Sequence, residues 1–124
     1  MGNGGFIVAV VDDDHSVLES LEDLLESAGY GARLFASATA LLDSGSLNEI
    51  DCLVSDIDMP VMDGIELARV ARASRPALPI FLITGHEHEF DRVPDAANFY
   101  RLFKGPSLGN ALLTALSKAL PASA

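Results

Sequence analysis

Three aspartates, a threonine and a lysine stand out in this chain because each of them ends or follows a short apolar run. Asp12 and Asp13 follow the first run, Asp56 the second, Thr84 the third, and Lys104 a fourth run that is partly aromatic. Open α/β sheets place their ligand sites at the carboxyl ends of successive strands. We therefore expect these side chains to share one acidic pocket, with a hydroxyl and an ammonium beside it.

These residue types suit a divalent cation and a phosphoryl group. Two like charges about 4 Å apart repel each other by roughly 4 kcal/mol at an effective dielectric of ~20, so three clustered carboxylates need a cation. Oxygen ligands favour Mg²⁺, with Mn²⁺ as the alternative ion. Phosphoryl transfer also needs donors for the equatorial oxygens, which Lys104 and the Thr84 hydroxyl could supply. Asp56 is then the predicted nucleophile, and it would form an aspartyl phosphate.

The elements that must position these residues alternate along the chain as strands and helices. Short apolar runs separated by amphipathic stretches are typical of βα units and a parallel sheet. The pattern predicts strands near residues 6–11, 31–35, 52–55, 80–83 and 99–103, and a last helix over 108–120. Pro94 interrupts the stretch between the fourth and fifth strands, so we expect a short, atypical fourth helix there. One domain is predicted over residues 6–120, with flexible tails at 1–5 and 121–124.

Composition narrows the classes of function. The net charge is −10 without any basic block, so direct nucleic-acid binding by this chain is not expected. No apolar run approaches the ~20 residues that cross a membrane, and no membrane association is expected. Cys52 is the only cysteine, which excludes an internal disulfide and favours a reducing, cytoplasmic location.

Four motifs, in this order and spacing, resemble the receiver domain of two-component response regulators. They are Val11-Asp-Asp-Asp14, Ser55-Asp-Ile-Asp-Met-Pro60 with Met62-Asp-Gly64, Leu82-Ile-Thr-Gly85 and Phe103-Lys-Gly-Pro106. The resemblance implies a single, doubly wound α/β domain with a five-stranded parallel sheet in the order 2-1-3-4-5 and helices on both faces. It also implies a signalling domain rather than an enzyme. Such a domain takes a phosphoryl group from a phosphohistidine on a sensor histidine kinase or phosphotransfer protein and then switches a surface for an unknown downstream protein.

The resemblance also implies roles for single residues. The metal ligands that it implies are three carboxylates and one main-chain carbonyl: Asp12, Asp13, Asp56 and the carbonyl of Asp58. Asp56 would be the phospho-acceptor, Thr84 the switch hydroxyl and Lys104 the phosphate-binding lysine.

The chain departs from the family pattern around Lys104. The family reads Lys-Pro, whereas here Gly105 separates Lys104 from Pro106. The family's switch aromatic has no unambiguous counterpart: Tyr100 is our assignment, although counting back from Lys104 gives Arg101. Because this region belongs to the usual output face of receivers, we expect the chain to signal differently.

Two residues near the site are predicted to tune its chemistry. Asp58 and His86 lie two residues beyond Asp56 and Thr84, so their side chains would flank the phosphoryl group and set the lifetime of the aspartyl phosphate. His86 and His88 could also suggest zinc, but their spacing is poor and no third histidine or cysteine is near in the sequence. A solvated loop is the favoured interpretation.

Two other functions stay open. The inserted Gly105 and the short fourth helix could indicate a degenerate receiver that binds partners without phosphate. Asp56-Ile-Asp58 also resembles the Asp-x-Asp motif of haloacid-dehalogenase phosphohydrolases, although that family needs a larger domain. Homodimerisation is left open, as is whether the chain stands alone or is part of a longer regulator.

Overall fold

The structure, a computed structural model, describes residues 5–92 and 99–120. Five strands and four α-helices alternate in this part of the chain, with two 3-10 segments between them. In chain order the elements are β1 (Ile7–Val11), α1 (His15–Ser27), β2 (Gly31–Phe35), α2 (Ala38–Ser44), a 3-10 helix (Ser46–Asn48), β3 (Cys52–Asp56), α3 (Gly64–Ser74), β4 (Ile80–Thr84), a 3-10 helix (Glu87–Arg92), β5 (Tyr100–Phe103) and α4 (Leu108–Ala119).

The five strands form one parallel sheet in the order β2-β1-β3-β4-β5. This confirms the predicted topology. The last paired residues place the strand ends side by side: Val11 pairs with Ser55, and Thr84 pairs with Phe103. Because all strands run in one direction, the residues that follow them gather at a single edge of the sheet.

Side chains on the two faces of the sheet form two apolar clusters. Leu41 of α2 and Leu67 of α3 pack into one cluster, whereas Leu25 of α1 and Leu112 of α4 pack into the other. Every residue of β3 and β4 is buried. Burial on both faces explains why these strands read as continuous apolar runs instead of alternating ones.

Aspartates begin two of the helices. The Asp14 carboxylate caps α1 by accepting a hydrogen bond from the Ser16 main-chain N–H at 2.9 Å. The Asp63 carboxylate caps α3 in the same way, with the Glu66 N–H at 2.9 Å. Such caps satisfy main-chain donors that have no partner inside the helix.

The connection between β4 and β5 contains the 3-10 helix Glu87–Arg92. The predicted short helix around Pro94 falls on residues 93–98, which lie outside the described residues, as do most of the predicted tails. Within the ranges 5–92 and 99–120, no helix has the length and apolar character of a membrane-spanning segment.

Candidate functional site

Three carboxylates converge where β1 and β3 end side by side. Asp12 and Asp13 directly follow β1, and Asp56 is the last residue of β3. Each of the three offers a carboxylate oxygen, and these oxygens lie within 4.8 Å of one another. Asp12 and Asp56 are buried, whereas Asp13 is exposed. The predicted convergence of these side chains is confirmed.

The pKa of Asp12 shows that a negative charge is unfavourable at this buried position. Burial raises the pKa of Asp12 from its ordinary value of 3.8 to about 6. The Asp14 main-chain N–H donates to Asp12 Oδ1 at 2.9 Å and lowers the pKa in part, whereas the charges of Asp56 and Asp13 raise it. A bound cation would favour the ionised carboxylate. The cluster offers oxygen ligands only, which fit Mg²⁺ or Mn²⁺.

Lys104 brings a positive charge to Asp56. Its Nζ lies 3.2 Å from Asp56 Oδ2, and the main-chain N–H of Asp58 donates to Asp56 Oδ1 at 3.3 Å. Burial alone would lower the pKa of Lys104. The hydrogen bond to Asp56, the charge of Asp56 and the smaller effects of the charges of Asp12 and Asp58 outweigh burial, so the pKa is raised overall. Both oxygens of the Asp56 carboxylate are therefore held by donors.

The inserted glycine leaves Lys104 in position. The Lys104 main-chain N–H donates to the Thr84 carbonyl at 2.9 Å, which continues the β4–β5 pairing up to the lysine. Gly105 follows with φ of +150°, a conformation that side chains with a Cβ rarely adopt. The described peptide bonds include no cis bond, so the bond before Pro106 is trans. The extra residue is absorbed after the lysine and not before it.

Thr84 lies beside this pocket at the end of β4, and its side chain is fully buried. Its Oγ1 accepts a hydrogen bond from the His86 main-chain N–H at 3.1 Å and lies 3.3 Å from the His86 carbonyl, to which it can donate. The hydroxyl is thus tied to the first residues of the β4–β5 connection. If this hydroxyl changed its hydrogen-bond partner, the main-chain contacts of that segment would therefore change as well.

The match to a known family covers the strands that carry the three aspartates and Thr84, and it ends before β5 and Lys104. Residues 8–98 match the family model described as the response regulator receiver domain. This chain belongs to the response regulator receiver domain family. Receiver domains are signalling domains that histidine kinases phosphorylate, and they bind Mg²⁺ in an acidic pocket.

Known proteins resemble this receiver domain in sequence and in fold. The transcriptional regulatory protein FixJ of Bradyrhizobium diazoefficiens is 44% identical over 79 residues, which cover 64% of this chain and 38% of FixJ. A receiver protein of Sinorhizobium medicae is 30% identical in sequence, and its structure has a TM-score of 0.82 and coverage of 94% for both chains. The chemotaxis protein CheY4 of Vibrio cholerae has the same TM-score at 26% identity, covering 94% of this chain and 100% of CheY4. The chain spans well under half the length of the curated relatives that it matches.

Asp58 and His86 contact the receiver site through their main chains. The Asp58 N–H reaches Asp56, and the His86 main chain holds the Thr84 hydroxyl. Both side chains are exposed, and the His86 ring tilts against His88 at 5.7 Å between centroids. Among the described residues, the three aspartates form the one converging group of possible metal ligands, and the histidines are not part of it. Tuning by these two side chains stays a prediction.

The structure does not bring Tyr100 to Thr84, contrary to the expected position of a switch aromatic. Tyr100 begins β5 and pairs with Phe81, whereas Thr84 pairs with Phe103 at the other end of the strand. The Tyr100 ring stacks on the buried Phe81 ring, with centroids 4.4 Å apart. The guanidinium of Arg101, the residue reached by counting back from Lys104, lies over the Phe90 ring instead. The physical reason is strand register, because Phe81, the partner of Tyr100, lies three residues before Thr84 on β4.

Gly64, which ends one of the receiver-like motifs in the sequence, packs directly against the site. A Cβ on Gly64 would lie 2.2 Å from the main-chain oxygen of Asp56. The missing side chain therefore lets the first turn of α3 press against the main chain of the candidate phospho-acceptor. A glycine directly after the capping Asp63, where other residues form helix better, was the available signal.

Proposed function

We propose that this receiver domain accepts a phosphoryl group on Asp56 from a phosphohistidine, in a reaction that depends on Mg²⁺. The observation that carries the proposal is the contact of 3.2 Å between Lys104 Nζ and Asp56 Oδ2 beside two further carboxylates. A buried carboxylate with an ammonium and a cation site around it is suited to attack a phosphoryl group whose charge must be neutralised.

The transfer itself requires little covalent chemistry from the protein. One carboxylate oxygen of Asp56 forms the new bond to phosphorus, the phosphorus–nitrogen bond of the phosphohistidine breaks, and its electron pair stays on the imidazole nitrogen. Asp12, Asp13, Asp56 and the carbonyl of Asp58 would hold Mg²⁺, which neutralises charge on the phosphoryl oxygens when bound. Lys104, already beside Asp56, would donate to another of these oxygens.

The switch in this proposal begins at Thr84. In the described state the Thr84 hydroxyl is engaged with the His86 main chain. A phosphoryl oxygen on Asp56 would compete for this hydroxyl and would release the start of the β4–β5 connection. Phosphorylation would then shift an equilibrium between two arrangements of that segment, and a downstream protein would recognise one of them.

The proposed partners follow from this chemistry. A sensor histidine kinase or a histidine phosphotransfer protein would supply the phosphoryl group, and direct nucleic-acid binding is not part of the proposal. The chain would act as a phospho-acceptor that promotes its own phosphorylation and dephosphorylation, and not as an enzyme with a separate substrate. A cytoplasmic location is included because Cys52 is a buried free thiol, as in proteins of reducing compartments.

The two alternative functions receive less support. A degenerate, phosphate-independent receiver is not favoured, because Lys104 contacts Asp56 despite the inserted Gly105. A phosphohydrolase is not favoured either, since the family match assigns the Asp56-Ile-Asp58 segment to a receiver domain.

Intact-mass measurement after incubation with acetyl phosphate and Mg²⁺ tests the proposal. We expect one added phosphoryl group on the wild-type chain and on Asp43→Ala, which removes an exposed carboxylate of α2 as a matched control. Asp56→Ala should gain none, and EDTA should prevent the gain in every sample. A folded wild-type chain that stays unmodified, or an Asp56→Ala variant that is modified equally, would contradict the proposal.

A further inference from the structure

Ser55 carries a buried hydroxyl that the proposed function does not use. Within the described ranges it is buried together with three polar residues of the site: Asp12, Asp56 and Thr84. Ser55 is 1% exposed and directly precedes Asp56 on β3. Burying a hydroxyl costs free energy unless the group is hydrogen-bonded, so the hydrogen bond that Ser55 makes indicates its role.

The Ser55 side chain lies in an apolar layer on one face of the sheet. Leu53, two residues earlier on β3, belongs to the cluster that α2 and α3 cover, and side chains two residues apart on a strand share a face. The residues paired with Ser55 on the neighbouring strands are Val11 and Leu82, which belong to the same cluster. An alanine would fill this position without a polar group to bury. Small size alone therefore does not explain the hydroxyl.

The hydroxyl holds the main-chain carbonyl of the residue that follows it. Ser55 Oγ donates to the Asp56 carbonyl oxygen at 2.9 Å, and this hydrogen bond is buried. Gly64, at the start of α3, packs against the same carbonyl, since a Cβ at this position would lie 2.2 Å from the oxygen. The carbonyl is thus contacted by a side-chain donor and by the first turn of a helix. Rotation of this carbonyl would break the hydrogen bond to Ser55.

The peptide group of that carbonyl links Asp56 to the turn that follows β3. Two main-chain hydrogen bonds of 2.9 Å hold Ile57 in this turn: its N–H donates to the Ile83 carbonyl, and its carbonyl accepts from the Gly64 N–H. The Asp58 N–H then donates to Asp56 Oδ1 at 3.3 Å, which is long for such a bond. The orientation of the Asp56 carbonyl therefore affects both the Asp56 carboxylate and the main chain of Asp58.

We propose that Ser55 is a positioning residue for phosphorylation, because its hydroxyl fixes the peptide group between Asp56 and Ile57. This inference rests on the proposed function, in which Asp56 accepts the phosphoryl group and the Asp58 carbonyl is a ligand of Mg²⁺. Misplacement of a reacting group by about 1 Å can slow a reaction by roughly 100-fold, so one hydrogen bond beside the acceptor can control the rate. Ser55 acts through the main chain, since its hydroxyl donates to the carbonyl and not to the carboxylate.

Removal of the hydroxyl alone tests this role. Ser55→Ala keeps the small side chain and removes the donor, whereas Ser55→Thr keeps the hydroxyl. Ser44→Ala is the matched control, because Ser44 Oγ donates to the Leu41 carbonyl at 2.6 Å on α2, which carries no residue of the site. Three quantities are compared with the wild type: the initial rate of phosphorylation by acetyl phosphate, the Mg²⁺ concentration that half-saturates binding, and the amide chemical shift of Asp58 in the metal-free protein.

We expect Ser55→Ala to be phosphorylated about tenfold more slowly at saturating Mg²⁺ and to need roughly tenfold more Mg²⁺ for half-saturation. The Asp58 amide shift should also change, because its N–H donates to the carboxylate of Asp56. A hydroxyl that only stabilised the fold would leave this shift and the Mg²⁺ affinity of the folded protein unchanged. Ser55→Thr and Ser44→Ala should stay within about twofold of the wild type in rate and in Mg²⁺ affinity.

Several results would overturn the proposal. These are a Ser55→Ala variant that matches the wild type in rate and Mg²⁺ affinity, an unchanged Asp58 amide shift in that variant, an equal loss in Ser44→Ala, or a folded Ser55→Thr as impaired as Ser55→Ala. A wild type that takes up no phosphoryl group would contradict the proposed function, and the Mg²⁺ affinity of Ser55→Ala would still test whether the hydroxyl positions the site. If the extra methyl of Ser55→Thr prevents folding, Ser55→Ala adds no atoms and keeps the test decisive.

Discussion

The carboxyl end of β5 leads into Lys104, whose ammonium lies 3.2 Å from Asp56, whereas the amino end begins with Tyr100, whose ring stacks on Phe81. The carboxyl end faces three aspartates, and among them burial raises the pKa of Asp12 to about 6. The amino end lies between two cavities without acidic lining residues among those described. One four-residue strand thus connects an acidic site at one end with an aromatic contact to the core at the other.

The difference shows that position in the sheet, and not the kind of side chain, decides which residues meet. Neighbouring residues of a strand point to opposite faces. Tyr100 and Leu102 therefore lie on the face that α1 and α4 cover, whereas Arg101 and Phe103 contact Phe90 on the other face. Only residues at the carboxyl ends of the strands reach the aspartates.

The largest expected effect is a difference in the rate of phosphorylation between a variant of Lys104 and a variant of Tyr100. Lys104→Gln removes the charged donor beside Asp56, and we expect the initial rate with acetyl phosphate to fall by roughly 100-fold. Tyr100→Leu should stay within about twofold of the wild type, as should Lys118→Gln, which is the same change on α4. Time courses of intact mass measure all three. Equal slowing in Tyr100→Leu would return the switch role to Tyr100 and break the comparison.

A second prediction concerns Asp12 and the pH dependence of stability. The pKa of Asp12 in the folded chain, about 6, lies above its ordinary value of 3.8, so the folded state binds more protons between these values. Stability from this group is present below pH 3.8 and is lost as the pH rises through 6. Asp12→Asn should therefore raise the free energy of unfolding by up to roughly 3 kcal/mol at pH 7.5 and change it little near pH 4.

Urea unfolding without divalent cations at both pH values measures this effect. Adding Mg²⁺ provides the control, because it should stabilise the wild type and should stabilise Asp12→Asn much less. A loss of stability in Asp12→Asn at pH 7.5 would show that the carboxylate is not penalised in the folded chain. Such a result would remove the electrostatic contrast between the two ends of β5.

A third prediction concerns how tightly Gly64 packs against the main chain of Asp56. A Cβ at this position would lie 2.2 Å from the Asp56 carbonyl oxygen, so Gly64→Ala must shift main chain and should cost roughly 2 kcal/mol or more. Phosphorylation should also slow, because Asp56 moves. Gly31→Ala is the matched control, since its Cβ would meet its nearest atoms at 3.6 Å. Equal stability of the two variants in urea would contradict close packing at Asp56.

Most of the fold and the acidic pocket could be predicted from the sequence because buried parallel strands leave a direct trace. Their apolar runs end in polar residues, and Asp56 and Thr84 are indeed the last residues of β3 and β4. Lys104 could be placed for the same reason, since it follows β5 directly. Each of these assignments used position at a strand end, which the linear sequence records.

The remaining features depend on tertiary geometry that the linear sequence does not record. Tyr100 was assigned for its phenol, and the register that places it beside Phe81 became visible only in the paired strands. The approach of Gly64 to Asp56 arises between two elements and leaves no periodic pattern. The backbone of Val61, in the loop between β3 and α3, could not be predicted either.

The smallest expected effect concerns strain in the main chain at Val61. Its φ is +72°, it is the one non-glycine residue with positive φ in the described ranges, and its side chain is fully exposed. The Met62 N–H donates to the Pro60 carbonyl at 2.9 Å, so Val61 is the centre of a strained γ-turn close to Asp56. Relief of about 1–3 kcal/mol of strain exceeds the entropy cost of glycine, so Val61→Gly should stabilise the chain by about 1 kcal/mol in urea. Val70→Gly, at an exposed position of α3, should instead destabilise it by roughly 0.5–1 kcal/mol, and losses in both variants would show that this turn stores no strain.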